Sequence, residues 1–280
     1  MALSEAFMAD LCQEYETNTH IKMSDYERWD VKRGLRNADG TGVMAGVTEI
    51  GNVRGYYVQD GERVPMAGQL TYRGIDLLEL VQGFTSEHRF GFAETAYLLL
   101  LGALPTKTLL DEFEALLNEN QHLPPMFTED MILKAPSSDV MNKLARGVLT
   151  LYSYDAHPPD MTRSTEITRA IVLIARTPQI VAHAFAAKRR YFDGESLYLH
   201  DPQPGLSIAE NFLWAVRHDN HFTPQEAQLL DLCMILHAEH GGGNNSAFTC
   251  RVLSSSGTDL YSAISAAVGS LKGPKHGGAN

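Results

Sequence analysis

The sequence predicts a mainly α-helical protein with a small β element near its N-terminus. Three observations carry this reading. From Gly74 almost to the last residue, apolar side chains recur at helical spacing, punctuated by helix-start and helix-stop residues. One stretch, Thr41 to Gly74, has a different texture: many glycines, β-branched and aromatic residues, and Asp60-Gly61 as a turn signal, which together predict a hairpin or two. Finally, 280 residues with 44% hydrophobic and 20% charged side chains are enough to bury a full core in one large domain or two ordinary ones.

The elements follow in order. Residues 1–19 read as an amphipathic helix, and SDYERWDVKRGL (Ser24 to Leu35) as a second with Ser24 as its N-cap. After the β stretch comes IDLLELVQGF, then GFAETAYLLLLGAL, which is apolar all round and belongs in the core. Thr106 opens the amphipathic TKTLLDEFEALLNENQ, and SSDVMNKLARGVLTLYSYD is the next helix. STEITRAIVLIARTPQIVAHAFAAKRRYF is long and largely buried, with Pro178 expected to kink or split it. Asp193 to Ser207 is a polar, Pro/Gly-containing connection. Three helical segments close the chain: TPQEAQLLDLCMILHAEH, with a capping-box start at Thr223 and Glu226, then NSAFTCRVLSSSG, then DLYSAISAAVGSLKG, whose small residues allow close packing. No internal repeat, low-complexity run or linker interrupts this order.

Charge and cysteine content narrow the function classes. A net charge of −11 and a pI near 5.4 supply no basic face for nucleic acid. The cluster Lys188 to Arg190 reads as a helix C-terminus, where cations complement the dipole. Cys12, Cys233 and Cys250 form no CxxC pair and are expected to be reduced, buried thiols. The N-terminus carries acids among its apolar residues, unlike a signal peptide. The apolar stretch Thr95 to Pro105 is too short to span a bilayer. A cytoplasmic protein without a membrane partner is expected.

Two histidine-bearing segments stand out. In LHAEHGGGNNS (Leu236 to Ser246), His237 and His240 are expected to share the face of a helix that stops at three glycines, with Asn244 and Asn245 next. In LKGPKHGGAN, His276 lies between Gly-Pro and Gly-Gly, where it can project without crowding. Either could be a plain turn or C-cap. A metal-dependent hydrolase built on His237, Glu239, His240 and His276 is one reading, but the spacing matches neither HExxH nor HxxEH. In the other, the imidazoles serve as hydrogen-bond donors and acid/base groups for carboxylate and carbonyl chemistry. No nucleotide motif competes: GTGVMAG misses GxGxxG by one residue.

These two segments, HAEHGGGNNSAF and SLKGPKHGGAN, separated by one helical hairpin, closely resemble citrate synthase in its bacterial form. LTYRGIDLLELV, ETAYLLLLGALP and RTPQIVAHAFAAKRR agree in order and spacing, and the likeness runs from about Asp25 onward. The resemblance implies a homodimeric, almost wholly helical enzyme of the tricarboxylic acid cycle, without metal or cofactor. It condenses oxaloacetate with acetyl-coenzyme A in a cleft between a large and a small domain. It further implies that His276, as a neutral imidazole, hydrogen-bonds the thioester oxygen and stabilises the enol. His240 is implied to bind oxaloacetate, Asn244 to assist, and His237 to stand behind them. Gly241 replaces a frequent Glu, and Lys275 a frequent apolar residue. The later family segments, which carry a second histidine and the aspartate base, have no counterpart here. On this likeness residues 1–280 are a large-domain portion ending near the hinge to an absent small domain, and inactive alone. A 2-methylcitrate synthase and a non-catalytic dimerisation or binding module remain open beside it.

Overall fold

The computed structural model describes residues 46–277 continuously, together with residues 9, 12–13, 16–18, 22–28, 34–35, 37 and 40–43. The chain divides into two compact units, Met1–Ala45 and Gly46–Asn280. In the first, the described residues of the expected N-terminal helix are helical, while the rest of that segment lies outside the described residues. Helix α1 spans Met23–Arg28. Ser24 therefore lies inside the first turn and is not the N-cap that the sequence suggested; Lys22 already supplies a turn carbonyl to the Asp25 amide at 3.0 Å.

The second unit opens with an antiparallel hairpin, β1 (Gly51–Gln59) and β2 (Glu62–Tyr72), to which the short β3 (Ile75–Asp76) adds at the Tyr72 end. Asp60 (φ 53°) and Gly61 (φ 83°) both take left-handed backbone, the mirror-image turn whose twist matches two flanking strands. Helices follow: α2 (Leu77–Ser86), α3 (Phe92–Leu101), α4 (Lys107–Glu119), α5 (Val140–Leu151), α6 (Arg163–Phe192), α7 (Ile208–Val216), α8 (Pro224–Leu236), α9 (Asn245–Ser254) and α10 (Leu260–Leu271). The mainly helical expectation holds, as do the helix start at Thr106, which serves as its N-cap, and the Thr223–Glu226 capping box. A π-helical turn over Thr128–Leu133, unforeseen in the sequence, is held by Lys143, whose buried ammonium donates to the carbonyls of Met131 and Ala135.

α6 is the axis of the core. Pro178 does not split it; the helix runs unbroken for 30 residues, and the Thr177 hydroxyl donates to Leu173 O at 2.7 Å. By length and composition α6 could cross a membrane, yet half of its apolar window is buried in the fold, as in a core helix. Ile180 is fully buried among Phe127, Val148 and Leu151. Gly147 lets α5 approach it closely, since a β-carbon there would lie 2.9 Å from Ile180 Cγ2. At the N-terminal end of α6 the buried Arg169 donates to Asp155 (2.7 Å), Glu166 (2.6 Å) and the carbonyls of His157, Pro158 and Asp160. Tyr261 of α10 donates to the same Asp155 carboxylate at 3.0 Å. One guanidinium thus ties the 155–162 segment to α6, and through Asp155 to α10. The three cysteines are unpaired, but the buried-thiol expectation fails: Cys12 is exposed, and Cys233 and Cys250 are half-buried because they sit on helix flanks rather than on core faces.

Candidate functional site

The glycine-rich loop after α8 takes its shape from Tyr72. The sequence reading carried the helix on to His240; the helix ends at Leu236, with His237 as its C-cap. The reason is a fully buried phenol at the end of β2. Its hydroxyl donates to Ile235 O at 2.8 Å, and its oxygen stands 3.3 Å from the Glu239 amide, where it accepts. A helix-end carbonyl is satisfied from outside, and the chain is free to turn away. The Glu239 carboxylate accepts from Gly241 N, and Gly241 holds φ 99°, which side chains resist. Close packing accounts for two further glycines: a β-carbon on Gly51 would lie 2.5 Å from Glu239 Cγ, and one on Gly242 would lie 3.1 Å from Thr48 Cγ2. Tyr72→Phe removes the hydroxyl: Ile235 O loses its 2.8 Å donor, keeping the longer bond from Ala238 N at 3.3 Å, and the Glu239 amide loses its acceptor. The expected cost is about 1–3 kcal/mol in urea denaturation, with faster amide exchange over 237–243; an unchanged midpoint and unchanged exchange would remove Tyr72 from this role.

His237 and His240 do not share a helix face, since His240 lies beyond the helix end. His237 Nδ1 is 2.7 Å from Cys233 O, one turn back on its own helix, and the ring is otherwise exposed. His240 is exposed and makes no hydrogen bond to any described residue, so both its ring nitrogens are available. Asn244 spends its amide on the fold. Its Oδ1 accepts from Ala247 N at 2.8 Å, capping α9, and its Nδ2 donates to Gly241 O at 2.9 Å. It fixes the loop that carries His240.

α9 and α10 form a helical hairpin that returns the second motif to the first. At its open end Asn245 Nδ2 donates to Ser270 Oγ at 2.7 Å, and Ser246 Oγ lies 3.1 Å from His276 Nε2. The His276 amide closes a tight turn by donating to Gly273 O at 2.9 Å. His276 is half-buried beside the first turn of α9. When the Ser246 hydroxyl donates to Nε2, the ring hydrogen resides on Nδ1, which is then a free donor. The two glycine-flanked loops therefore meet at the N-terminal end of α9, with Asn244, Asn245 and Ser246 as the link.

A cavity of about 600 Å³ lies at the hairpin root, lined by Asn52, Arg54, Gln69, Thr71 and Arg73 among others. Two smaller ones, of about 250 and 360 Å³, border Asp231. Neither His240 nor His276 lines any of the three. Among the described residues, no three or more His, Cys, Asp or Glu side chains come together as metal ligands, so the hydrolase reading gains no geometric support. Nor is any carboxylate of the described residues hydrogen-bonded to His240 or His276. The sequence reading missed Tyr72 and Ser246. Tyr72 looked like one more strand aromatic, and Ser246 one of many helix-start serines; only the 30-residue return of the chain gives Ser246 its partner.

Residues 37–280 match the family model described as citrate synthase, C-terminal domain. The citrate/2-methylcitrate synthase of Bacillus subtilis is 32% identical over 214 residues, covering 76% of this chain and 54% of that protein. The citrate synthase structure from Pyrobaculum aerophilum superposes with a TM-score of 0.70 at 28% identity, over 89% of this chain and 60% of that one. A citrate synthase from Thermoplasma acidophilum, solved as a ternary complex with carboxymethyl coenzyme A and oxaloacetate, shares the fold with a TM-score of 0.69 at 23% identity. The chain spans about half the length of the curated relatives it matches.

Proposed function

Because the chain belongs to the citrate synthase family, we propose that its two glycine-flanked loops carry the substrate-facing histidines of a citrate-forming acyl condensation. His240, with both nitrogens unspent, binds oxaloacetate and polarises its carbonyl. His276 donates from Nδ1 to the thioester oxygen of acetyl-CoA as the methyl proton leaves, and so stabilises the enol. Ser246 holds the His276 ring in the tautomer that leaves Nδ1 as donor. The observation that carries this reading is the pair of bonds Asn245–Ser270 and Ser246–His276, which bring the two motifs to one end of a helical hairpin.

Calorimetry on the 280-residue chain tests it. Oxaloacetate should bind, and carboxymethyl coenzyme A should bind after it. His240→Ala should abolish the first event and His276→Ala should weaken only the second. Heat from neither ligand, or no effect of either substitution, would sink the proposal. The chain alone is not expected to release CoA from acetyl-CoA and oxaloacetate, because no carboxylate of the described residues is hydrogen-bonded to His240 or His276 as a base for the methyl proton. The dual name of the Bacillus relative favours keeping 2-methylcitrate as a second product; acetyl and propionyl thioesters offered in competition separate the two. Family membership also supports a homodimer, which sedimentation reads directly, and unpaired thiols support a cytoplasmic setting.

A further inference from the structure

We propose that Asp139 is a positioning residue for the His276 loop, clamping the stem of that loop through Lys272; this rests on the role proposed above for His276. Lys272 is the C-cap of α10 and stands immediately before Gly273, where the loop begins. Its ammonium meets Asp139 Oδ2 at 2.5 Å, across 133 residues of sequence. Asp139 is well placed to hold it. It is the N-cap of α5, and its other oxygen accepts from Asn142 N at 2.9 Å, so the carboxylate is oriented before Lys272 arrives. The Lys272 bond is the largest cause holding the Asp139 carboxyl below its usual range, ahead of the capping amide.

The loop stem is thereby gripped from two sides. From α9 come the bonds Asn245–Ser270 and Ser246–His276. From α5 come Asp139–Lys272 and the donation of Ser265 Oγ to Ala145 O at 2.8 Å. Removing Ser246 would free the ring; removing Asp139 would free the segment that carries it. Half-exposed ion pairs add little to global stability. A lysine at a helix C-terminus is favourable without a partner. The role argued for this pair is therefore local order, and the aim of a reacting group is sensitive to small displacements.

Asp139→Asn is the informative variant, because asparagine caps a helix about as well as aspartate while losing the charge. Lys272→Met removes the other partner, and Lys272→Arg keeps the charge. In the full 280-residue chain, Asp139→Asn and Lys272→Met should each speed amide exchange over 273–277 and lower affinity for carboxymethyl coenzyme A by about fivefold. Lys272→Arg should restore both, while oxaloacetate affinity and the unfolding midpoint stay at wild-type values. Unchanged exchange and unchanged affinity in Asp139→Asn would overturn the inference, and so would a fall in the midpoint that matches the loss of loop protection. Should the wild-type chain bind neither ligand, the functional reading fails by itself, and the exchange measurement still decides whether Asp139 orders the loop.

Discussion

Replacing Arg169 by alanine is expected to destabilise the chain by about 3–5 kcal/mol, the usual cost of removing one partner from a buried charge network. Its side chain is only 4% exposed, and every donor direction finds an acceptor on the 155–162 segment or on α6 itself. Without it, Asp155 keeps a charge in a site that disfavours charge. Burial alone would raise the Asp155 carboxyl, but Arg169, the His157 amide and Tyr261 outweigh it and hold it low. Tyr261 in turn is pushed up to about 12, by burial first and then by its bond to Asp155. A carboxyl lowered in the folded state adds stability above its ordinary value of 3.8 and loses it as pH falls through the folded value. The gap between wild type and Arg169→Ala should therefore be widest near neutral pH and narrow below about pH 4. Urea denaturation at pH 7 and pH 3.5 measures both. A loss under ~1 kcal/mol at pH 7, within the range of surface ion pairs, would show that the network is not structural. Because Tyr261 sits on α10, the same loss should loosen the helix that delivers His276.

In a citrate-forming protein that contains this chain, His276→Ala should lower kcat by about 10²–10³-fold, the effect of removing one donor to a developing oxyanion. Ser246→Ala should cost about tenfold, on the scale of one ordinary hydrogen bond. Since Ser246 acts only through the ring, the double variant should be no slower than His276→Ala alone. Steady-state kinetics with both substrates checks this. Additive losses in the double variant would give Ser246 a separate role, and a normal kcat in His276→Ala would exclude the imidazole from the chemistry.

Much of this was legible in the residues. Helical spacing after Gly74, the Asp60-Gly61 turn, and the caps at Thr106 and Thr223 are local signals, and local signals survive folding. The two glycine-flanked histidine segments were visible for the same reason. What failed depended on distant partners. The α8 end could not be placed because the phenol that satisfies Ile235 O comes from Tyr72, 163 residues away in sequence. His237 and His240 looked like face-mates only while the helix was allowed to run on. Pro178 signals a kink or a split, yet α6 runs through it as one helix packed around Ile180. The Asp139–Lys272 pair leaves no trace at all in either local sequence, since each residue has an ordinary helix-end reason to be there.

The central claim is that the His276 ring, held by Ser246, faces an acyl thioester beside the loop that bears His240. Nitrogen-detected NMR of the histidine rings during titration tests it most directly. Oxaloacetate should shift the His240 nitrogens, and carboxymethyl coenzyme A added next should shift His276 Nδ1, with Ser246→Ala altering the His276 signal before any ligand is present. Binding of the coenzyme A analogue that leaves both His276 nitrogens unmoved would contradict the account.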